Sequence, residues 1–327
     1  MPPFIQPKVE PLPAGIDLSN KTAIITGATS GIGLELSRQF LEHKLSNLVL
    51  AVRNVSKGEE VRKALIAENP KAVVEVMKLD TENYDSIKAF AKTFKSAHNK
   101  LHFLMLNAGI IDLDFELTSF GHEKNLQVNY LSNILLTLLL LPTLEETAEQ
   151  EGSPTRITWT GSRQFLNTSL ADKVPLKKGE GIFEHYDAPG LIPPLSRYGD
   201  VKLLVLLFQL ELARRYGPEK VIINHFCPGL IHSGLTDRMP VHLRLLSSLY
   251  KAVRARSVDK AGWIGLHAAV VAGEETHGKL LGDKDIAELG DFVPSQEGER
   301  IKGLLWEETV EEMRGLVEVP SWMEGTA

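Results

Sequence analysis

Short apolar runs alternate with longer stretches of helical periodicity along most of the chain. The runs predict strands at about residues 22–26, 47–52, 72–79, 101–106, 155–161, 220–226 and 278–281. The stretches between them predict helices near residues 32–44, 56–69, 83–98, 119–141, 197–216 and 258–272. Strands buried on both faces are apolar throughout, as residues 48–52 are, so we expect a doubly wound α/β fold with a seven-stranded parallel sheet and helices on both faces.

Three stretches break this alternation. Residues 1–20 carry five prolines and predict an extended N-terminal arm ahead of a single domain over residues 21–327. Residues 163–195 are rich in proline and glycine, which predicts a long irregular insertion. Residues 230–257 include a basic amphipathic segment, 242–254, typical of a helix that covers a pocket or of one that lies on a membrane surface.

Composition narrows the classes of partner. In 327 residues, 43% hydrophobic content is enough for a sizeable core, and a formal net charge of -6 gives no electrostatic footprint for nucleic acid. The longest mainly apolar run, residues 134–141, is well short of the roughly 20 residues that cross a bilayer. Cys227 is the single cysteine, which excludes an intramolecular disulfide and favours a buried thiol. We therefore expect a cytoplasmic protein with no transmembrane segment and no nucleic-acid partner.

A glycine-rich stretch at residues 26–33 joins the first predicted strand to the first predicted helix. Glycines there let the backbone turn sharply and approach a pyrophosphate, whose negative charge the N-terminus of the helix favours. Close packing of strand and helix is the alternative explanation for the glycines. The candidate phosphate-binding residues are Gly27, Thr29, Ser30, Gly31, Ile32 and Gly33.

Further candidates lie at the carboxyl ends of strands, where open α/β sheets bind ligands. Arg53 follows the second strand, at a place where folds that prefer NAD carry an acid, and its guanidinium suits a 2′-phosphate. Asp80 follows the third strand, where a helix cap is the competing role. Asn107, Ala108 and Gly109 follow the fourth, and Asn107 alternatively braces neighbouring strands.

Tyr198 and Lys202 are the pair in the sequence that most clearly predicts acid/base chemistry. They are four residues apart at the start of a helical pattern, so their polar ends share one face. A nearby ammonium favours the phenolate and lowers the pKa of a tyrosine, which makes it an acid/base at neutral pH. Ser162, at the end of the fifth strand, can hydrogen-bond a substrate oxygen, and Asn129 needs partners that a water bridging to Lys202 would supply. A solvated helix face and a satisfied core Asn are the structural alternatives.

Other catalytic classes lack support in the sequence. The histidines are scattered, and no His/Cys cluster has the spacing of a metal site. Ser162 lies in Thr-Gly-Ser-Arg and not in a Gly-x-Ser-x-Gly elbow, so a hydrolase triad is poorly supported.

With these residues assembled, the chain resembles the short-chain dehydrogenase/reductase family over about residues 20–315. The family's Thr-Gly-x-x-x-Gly-x-Gly signature corresponds to residues 26–33, its Asn-Ala-Gly to residues 107–109 and its adenine-side Asp to Asp80. Its catalytic residues fall on Asn129, Ser162, Tyr198 and Lys202. The resemblance implies a Rossmann fold. Helices 119–141 and 197–216 often pair two subunits in this family, whereas a long insertion can block such contacts, so monomer and homodimer both stay open.

The resemblance also implies the cofactor. Near the nicotinamide it places the residues that follow the sixth strand, Pro228, Gly229, Ile231 and Ser233. Arg53 and residues 278–313 look most like the retinol dehydrogenase and WW-domain oxidoreductase branch, which implies NADP(H) in preference to NAD(H). Two features depart from the family pattern. The usual Ser-Ser pair is Gly161-Ser162, and Ser162 lies 36 residues before Tyr198.

The implied function is an NADP(H)-dependent carbonyl reductase or alcohol dehydrogenase acting on a fairly bulky apolar small molecule. Tyr198 would pass a proton to the carbonyl oxygen, Ser162 would polarise that oxygen, and Asn129 would anchor a proton-relay water. Lys202 would lower the pKa of Tyr198 and hold the nicotinamide ribose.

A bulky substrate is inferred from residues 243–253 and from apolar residues of the insertion. The alternative is that these residues cover the core or a subunit contact. The apolar residues of the insertion are Phe165, Phe183, Tyr186, Leu191 and Ile192. Two other functions stay open. One is an epimerase, dehydratase or cyclisation-assisting enzyme with the same cofactor, and the other is an NADP(H)-sensing binding protein that does no chemistry.

Overall fold

A mostly parallel sheet forms the centre of the molecule. The computed structural model describes residues 6–232 and 240–324, except for the side chains of residues 243, 245–247 and 249. The sheet has the strand order β3-β2-β1-β4-β5-β6-β7-β8. Its strands are β1 (Thr22–Thr26), β2 (Asn47–Val52), β3 (Val73–Lys78), β4 (Phe103–Leu106), β5 (Thr155–Thr160), β6 (Val221–Cys227), β7 (Leu280–Gly282) and β8 (Asp285–Ile286).

The predicted number of seven strands is wrong by one. The first seven strands are parallel and confirm the predicted arrangement, but β8 pairs with β7 in the antiparallel direction. Asp283 and Lys284 join these two strands with positive φ angles of 55° and 84°, which makes a tight hairpin. A two-residue strand is too short for any hydrophobic period to reveal it.

Helices cover both faces of the sheet. They are α1 (Gly31–Glu42), α2 (Val55–Glu68), α3 (Tyr84–Ala97), α4 (Lys124–Leu126), α5 (Ser132–Glu151), α6 (Ile182–Asp187), α7 (Pro194–Arg215), α8 (Val241–Arg254), α9 (Val258–Leu266), α10 (Gln296–Arg314) and α11 (Ser321–Glu324). Side-chain caps fix several starts: Asn54, Asn83 and Ser295 each accept a backbone N–H of the first turn of α2, α3 and α10.

Alternate residues of each central strand feed two separate cores. In β1, Ile24 packs into the core on the side of α3, α5 and α7, whereas Ala23 and Ile25 pack into the core on the side of α1 and α9. Ile24 also pairs with Val49 of β2 and Leu104 of β4, so apolar residues meet across three strands. This two-sided burial explains the continuous apolar run at residues 48–52 of β2.

The helix predicted at residues 119–141 begins later and ends later than expected. It begins at Lys124, contains a π-helical turn over Gln127–Leu131, and continues through Pro142 to Glu151. Proline costs one helical hydrogen bond, but the residues beyond it, such as Leu144 and Ala148, are buried, and their packing outweighs that loss. Among the described residues this helix alone is long and apolar enough to cross a membrane, and 89% of its apolar window is buried inside the fold.

The insertion at residues 163–195 is packed and not open. Phe165, Tyr186 and Ile192 are at most 4% exposed and belong to the core, and Phe183 and Leu191 pack against it. Three roles were considered for these five residues: lining the substrate site, covering the core and covering a subunit contact. The structure supports covering the core. Helix α6 within the insertion was not predicted, and neither were α10 and α11 beyond β8.

Candidate active site

The glycine-rich stretch forms a tight turn between β1 and α1. Gly27 and Gly31 have φ angles of +67° and +57°, in the region that favours glycine. A Cβ on Gly33 would lie 2.5 Å from the carbonyl oxygen of Gly27 and 2.6 Å from Nδ2 of Asn107, so a side chain there would displace the turn. Ser30 precedes α1 without a side-chain cap, so the first N–H groups of the helix are left for another acceptor.

A cleft of about 440 Å³ runs from this turn along the carboxyl ends of the strands. Its walls contain most of the predicted residues, namely Gly27, Thr29, Ser30, Gly31, Ile32, Arg53, Asn107, Ala108, Gly109, Asn129, Tyr198 and Lys202. The sequence did not single out several other lining residues, among them Lys57, Thr81, Glu82, Ile110 and Thr160. The phosphate-cradle end and the Tyr/Lys end therefore belong to one cleft.

Six predicted site residues do not line this cleft. They are Gly33, Asp80, Ser162, Pro228, Gly229 and Ile231, and Ser233 lies outside the described residues. Asp80 acts on the backbone: its carboxylate accepts the N–H of Glu82 at 3.1 Å, while its own N–H donates to Ser86 at 3.0 Å. It shapes the turn that brings Thr81 and Glu82 to the cleft. Its contact with an adenine stays a prediction.

Asn107 braces the floor of the cleft. Its Nδ2 donates to the carbonyl oxygen of Thr26 at 2.9 Å, and its Oδ1 accepts the hydroxyl of Thr160 at 3.3 Å. Thr26 Oγ1 in turn accepts the backbone N–H groups of Asn107 and Ala108. These bonds tie the ends of β1, β4 and β5 together, which was the structural alternative for Asn107.

Arg53 is paired with a carboxylate that the sequence analysis missed. Its Nη1 lies 2.6 Å from Oε1 of Glu82, and its side chain is 53% exposed. An anion at this end of the cleft would have to share or replace Glu82 as the partner of the guanidinium. Glu82 lies two residues after Asp80, just past the end of β3. That position was the feature of the sequence that could have indicated Glu82 as a site residue.

Tyr198 and Lys202 line the other end of the cleft. The side chain of Ser162 interacts with the hydroxyl of Tyr198 from outside the cleft lining and favours its ionised form. The turn after Ser162 packs closely on α7, because a Cβ on Gly199 would lie 2.8 Å from the carbonyl oxygen of Gln164. Lys202 Nζ lies 5.6 Å from the ring centroid of Tyr198 and donates to the carbonyl oxygen of Thr160 at 2.9 Å. The long spacing between Ser162 and Tyr198 therefore does not separate them.

The pKa values of this pair depart from the expectation. Burial raises the pKa of Tyr198, and the hydrogen bond from Ser162 offsets this only in part. Burial also lowers the pKa of Lys202 to about 8. The expected lowering of the Tyr198 pKa by Lys202 is not found in this structure, because desolvation dominates both groups and the ammonium is directed to a backbone carbonyl.

Asn129 lies in the π-helical turn, and its amide is satisfied by the protein. Its Oδ1 accepts the N–H of Ile110 at 3.0 Å, and its Nδ2 donates to the carbonyl oxygens of Ile110 and Asn125 at 3.1 and 3.0 Å. The side chain therefore holds the segment after β4 at the cleft wall, the alternative considered for a core Asn. A role in anchoring a relay water stays a prediction.

Cys227 is a further residue beside the pair. It ends β6, is 5% exposed, and its Sγ accepts the backbone N–H of Arg163 at 3.3 Å. Burial raises the pKa of the thiol. The thiol therefore links the end of β6 to the residue after Ser162. Over the described ranges, 6–232 and 240–324, no group of three or more His, Cys, Asp or Glu is placed to hold a metal ion.

Comparison with known proteins identifies the family. A family model described as short chain dehydrogenase matches residues 21–164. Short chain dehydrogenase yanD of Aspergillus niger is 49% identical over 323 residues, covering 97% of this chain and 98% of that protein. Short-chain dehydrogenase/reductase tropG of Talaromyces stipitatus is 48% identical with the same coverage. The chain belongs to the short-chain dehydrogenase/reductase family of oxidoreductases. Its place in the retinol dehydrogenase branch stays a prediction.

Solved structures share the fold at low sequence identity. The Pseudomonas aeruginosa RhlG/NADP active-site complex has a TM-score of 0.62 and 20% identity, covering 82% of this chain and 96% of that chain. The 3-ketoacyl-(acyl-carrier-protein) reductase from Brucella melitensis, complexed with NADH, has a TM-score of 0.59 and 19% identity, covering 81% of this chain and 97% of that chain. This likeness confirms the Rossmann-type α/β architecture.

Proposed function

We propose that this protein is an NADP(H)-dependent oxidoreductase that interconverts a ketone or aldehyde and an alcohol on a fairly bulky apolar small molecule. One observation carries the proposal: in the cleft that begins at the glycine turn, Tyr198 interacts with Ser162 and has the Lys202 ammonium 5.6 Å from its ring centroid. A binding module needs the glycine turn but has no use for this trio.

The residues present fit a nicotinamide dinucleotide. The glycine turn leaves no room for a side chain at Gly33, and the uncapped start of α1 offers N–H groups to a pyrophosphate. Arg53 and Lys57 line the far end of the cleft, where a 2′-phosphate would find two cations. The solved relatives carry NADP in one case and NADH in another. Arg53 is what favours NADP(H) here. The cofactor would supply or accept the hydride.

The chain's own residues would manage the proton. In the reducing direction the substrate oxygen gains negative charge as its carbon is reduced, and Ser162 would donate a hydrogen bond to that oxygen. Tyr198 would then transfer its hydroxyl proton to the same oxygen, which forms the alcohol and leaves the phenolate. The Lys202 ammonium, 5.6 Å from the ring centroid, would stabilise that phenolate. Oxidation of the alcohol is the reverse sequence.

Exposed apolar side chains a few residues from Ser162 and Tyr198 along the chain support a bulky apolar substrate. Leu166, in the turn after Ser162, is 50% exposed, and Leu195, in the first turn of α7 before Tyr198, is 69% exposed. Apolar side chains at the mouth of a site gain free energy when an apolar ligand covers them.

Replacement of Tyr198 by Phe tests the proposal. We expect NADPH consumption with a panel of bulky ketones to fall by about 10² to 10⁴, the usual contribution of a general acid. NADPH binding, followed by its fluorescence, should persist because the glycine turn is untouched. Tyr186→Phe is the matched control, since Tyr186 is a buried tyrosine that lies outside the cleft.

Either of two results would contradict the proposal. Turnover by Tyr198→Phe at the rate of the unmodified protein would remove the acid/base role. Stoichiometric NADPH binding without oxidation across the whole panel would favour the sensing protein, and conversion of a substrate without net use of NADPH would favour the epimerase or dehydratase.

A further inference from the structure

The loop between β4 and α4 forms part of the cleft wall. Ile110 and Ile111 of this loop both line the cleft. Residues 110–116, the wall loop, contain no helix or strand. The backbone of the wall loop therefore has no regular hydrogen-bond ladder, and its position depends on side chains that reach it from neighbouring elements.

Two amides hold the first half of the wall loop from the side of α4. Asn129 bonds the N–H and the carbonyl oxygen of Ile110, at 3.0 and 3.1 Å. Asn125 does the same for Asp112, since its Oδ1 accepts the N–H and its Nδ2 donates to the carbonyl oxygen, both at 2.9 Å. These bonds attach the loop to the chain that follows it, and not to α7, the helix that carries Tyr198.

Arg197 links the wall loop to α7. Its Nη1 donates to the carbonyl oxygen of Asp114 and its Nη2 donates to that of Leu113, each at 3.1 Å. The guanidinium carbon lies 5.8 Å from the ring centroid of Phe115. Consecutive loop residues are thus held by one planar group, whose fixed fork is suited to bonding two carbonyl oxygens at once.

The guanidinium is buried and paired with a buried carboxylate. Arg197 is 4% exposed and Glu123 is 0% exposed, and Nη1 of Arg197 lies 3.2 Å from Oε1 of Glu123. Glu123 also accepts the N–H of Leu126 and the amide of Asn125. Desolvation largely offsets the attraction within such a pair, so net stabilisation is a weak explanation for it. What the pair does provide is a fixed position for the fork.

Arg197 is also the residue that precedes Tyr198. Tyr198 and Ile111 line the same cleft, and Leu113 lies two residues after Ile111. The guanidinium therefore joins the turn of α7 that carries Tyr198 to the residues that directly follow the cleft-lining part of the loop. A shift of the wall loop relative to α7 would move Ile111 relative to the Tyr198 hydroxyl.

We propose that Arg197 is a positioning residue for the active site. By bonding the wall loop from α7, it fixes the position of Ile111 relative to Tyr198 and so determines how a substrate lies against the Tyr198 hydroxyl. That a ketone occupies this part of the cleft rests on the function proposed above, whereas the attachment of the wall loop to α7 does not.

The test variant is Arg197→Met/Glu123→Gln, which removes both charges so that neither is left buried without its partner. In hydrogen–deuterium exchange, we expect peptides covering residues 111–116 to exchange about tenfold faster, as expected for the loss of about two net hydrogen bonds. Peptides from β1 to β3 should not change. With the bulky ketone that the unmodified protein reduces fastest, KM should rise several-fold while kcat stays within about twofold, because Tyr198 and Lys202 are kept.

Arg215→Met/Glu211→Gln is the matched control. Arg215 lies on the same helix, has its Nε 2.6 Å from Oε1 of Glu211, and has its guanidinium carbon 4.6 Å from the ring centroid of Trp306. None of these three residues lines the cleft. The control therefore repeats the change of charge beside an aromatic ring at the far end of α7, and neither the exchange of the wall loop nor KM should change.

Arg197→Lys separates the charge from the fork. It keeps a positive charge beside Glu123 but has no planar fork for two carbonyl oxygens, so we expect the same faster exchange and the same raised KM. This variant also decides the proposal if Arg197→Met/Glu123→Gln does not fold.

Each outcome bears on the role of Arg197. Unchanged exchange at residues 111–116 in Arg197→Met/Glu123→Gln overturns the attachment of the loop, and faster exchange with an unchanged KM overturns the positioning role. Normal exchange and a normal KM in Arg197→Lys would show that the charge alone is sufficient, which contradicts a role for the fork. If the unmodified protein turns over no ketone, the proposed function fails, and the exchange data alone decide whether Arg197 holds the loop.

Discussion

At the scale of single residues, burial shifts the pKa values of Tyr198 and Lys202, the proposed acid/base pair. Burial raises the pKa of Tyr198 and lowers that of Lys202 to about 8, so both side chains are shifted towards their neutral forms. A neutral tyrosine is a proton donor, which suits the reducing direction. The oxidising direction needs the phenolate of Tyr198. Additional positive charge next to the hydroxyl would have to lower the pKa of Tyr198 to form that phenolate.

Arg53 gives the sharpest prediction about the cofactor. We expect Arg53→Ala to raise KM for NADPH about tenfold and to leave KM for NADH nearly unchanged, because only NADPH offers a 2′-phosphate to the guanidinium. Initial rates with each cofactor measure the ratio. Arg62→Ala is the control. Arg62 lies on α2, the helix that follows Arg53, and it pairs with Glu59 of the same helix.

Glu82 sharpens this prediction further. The Arg53–Glu82 ion pair is on the surface, so breaking it costs little, and Glu82→Gln should lower KM for NADPH by removing the competing carboxylate. Faster use of NADH than NADPH by the unmodified protein would contradict the role given to Arg53.

Site residues could be predicted from the sequence where neighbours in the chain set their position. They were missed where a contact with a residue distant in the chain brings them to the site. Spacing alone predicted the glycine turn and the Tyr198/Lys202 face, because each is set within a few residues. Glu82 and Cys227 entered the site only through partners 29 and 64 positions away, Arg53 and Arg163. The direction of the Tyr198 pKa was wrong for the same reason, since burial is a property of the whole fold.

At the scale of elements, His122, just before α4, links α10 to the insertion. The Nδ1 of His122 lies 2.9 Å from Oδ2 of Asp187 at the end of α6, and the Nε2 of His122 lies 3.3 Å from Oε1 of Glu312 on α10. Burial by itself would lower the pKa of His122, but the two carboxylates outweigh it and raise the pKa to about 9. Protonated His122 therefore holds three elements together.

This raised pKa predicts how stability changes with pH. The contribution of His122 should be fully present below its ordinary value of 6.5 and lost as pH rises through about 9, because the unfolded chain releases its proton first. The difference in free energy of unfolding between the unmodified protein and His122→Gln, measured by urea denaturation, should shrink by up to about 3 kcal/mol from pH 6 to pH 10.

His242→Gln, at an exposed position on α8, is the control for this measurement. A difference between the unmodified protein and His122→Gln that stays constant with pH would show that the ion pairs do not form in solution.

Element boundaries were predictable where local signals set them and not where packing did. The strand positions agree closely with the apolar runs, because central strands such as β1 and β2 are buried on both faces. Pro142 was a misleading stop signal, since burial of the helix beyond it overrides the lost hydrogen bond. Helix α10 was missed although Ile301, Leu305 and Met313 follow helical spacing, because its many charged residues dilute the apolar pattern.

At the scale of the whole molecule, the C-terminal helix covers a face that the family resemblance assigned to subunit pairing. Trp306 of α10 stacks on Phe208 of α7 with ring centroids 5.1 Å apart, and Thr309 is bonded to the hydroxyl of Tyr130 at 2.6 Å. Glu308 accepts the first N–H groups of α6, at 2.7 Å from Ile182 and 2.9 Å from Phe183. The outward side of α7 is thus occupied by the chain's own α10, which also holds the start of α6.

We therefore predict that the protein is a monomer of 36.2 kDa in solution. Pairing through α5 and α7 would require α10 to leave, which would expose Trp306, 3% exposed in the fold, at a cost of about 3 kcal/mol for that side chain alone. Light scattering after size exclusion measures the mass, and the mass should not change with protein concentration. A stable species of twice this mass that persists on dilution would contradict the prediction that α10 blocks pairing. If Trp306→Ala then leaves that species unchanged, the subunits meet at another surface.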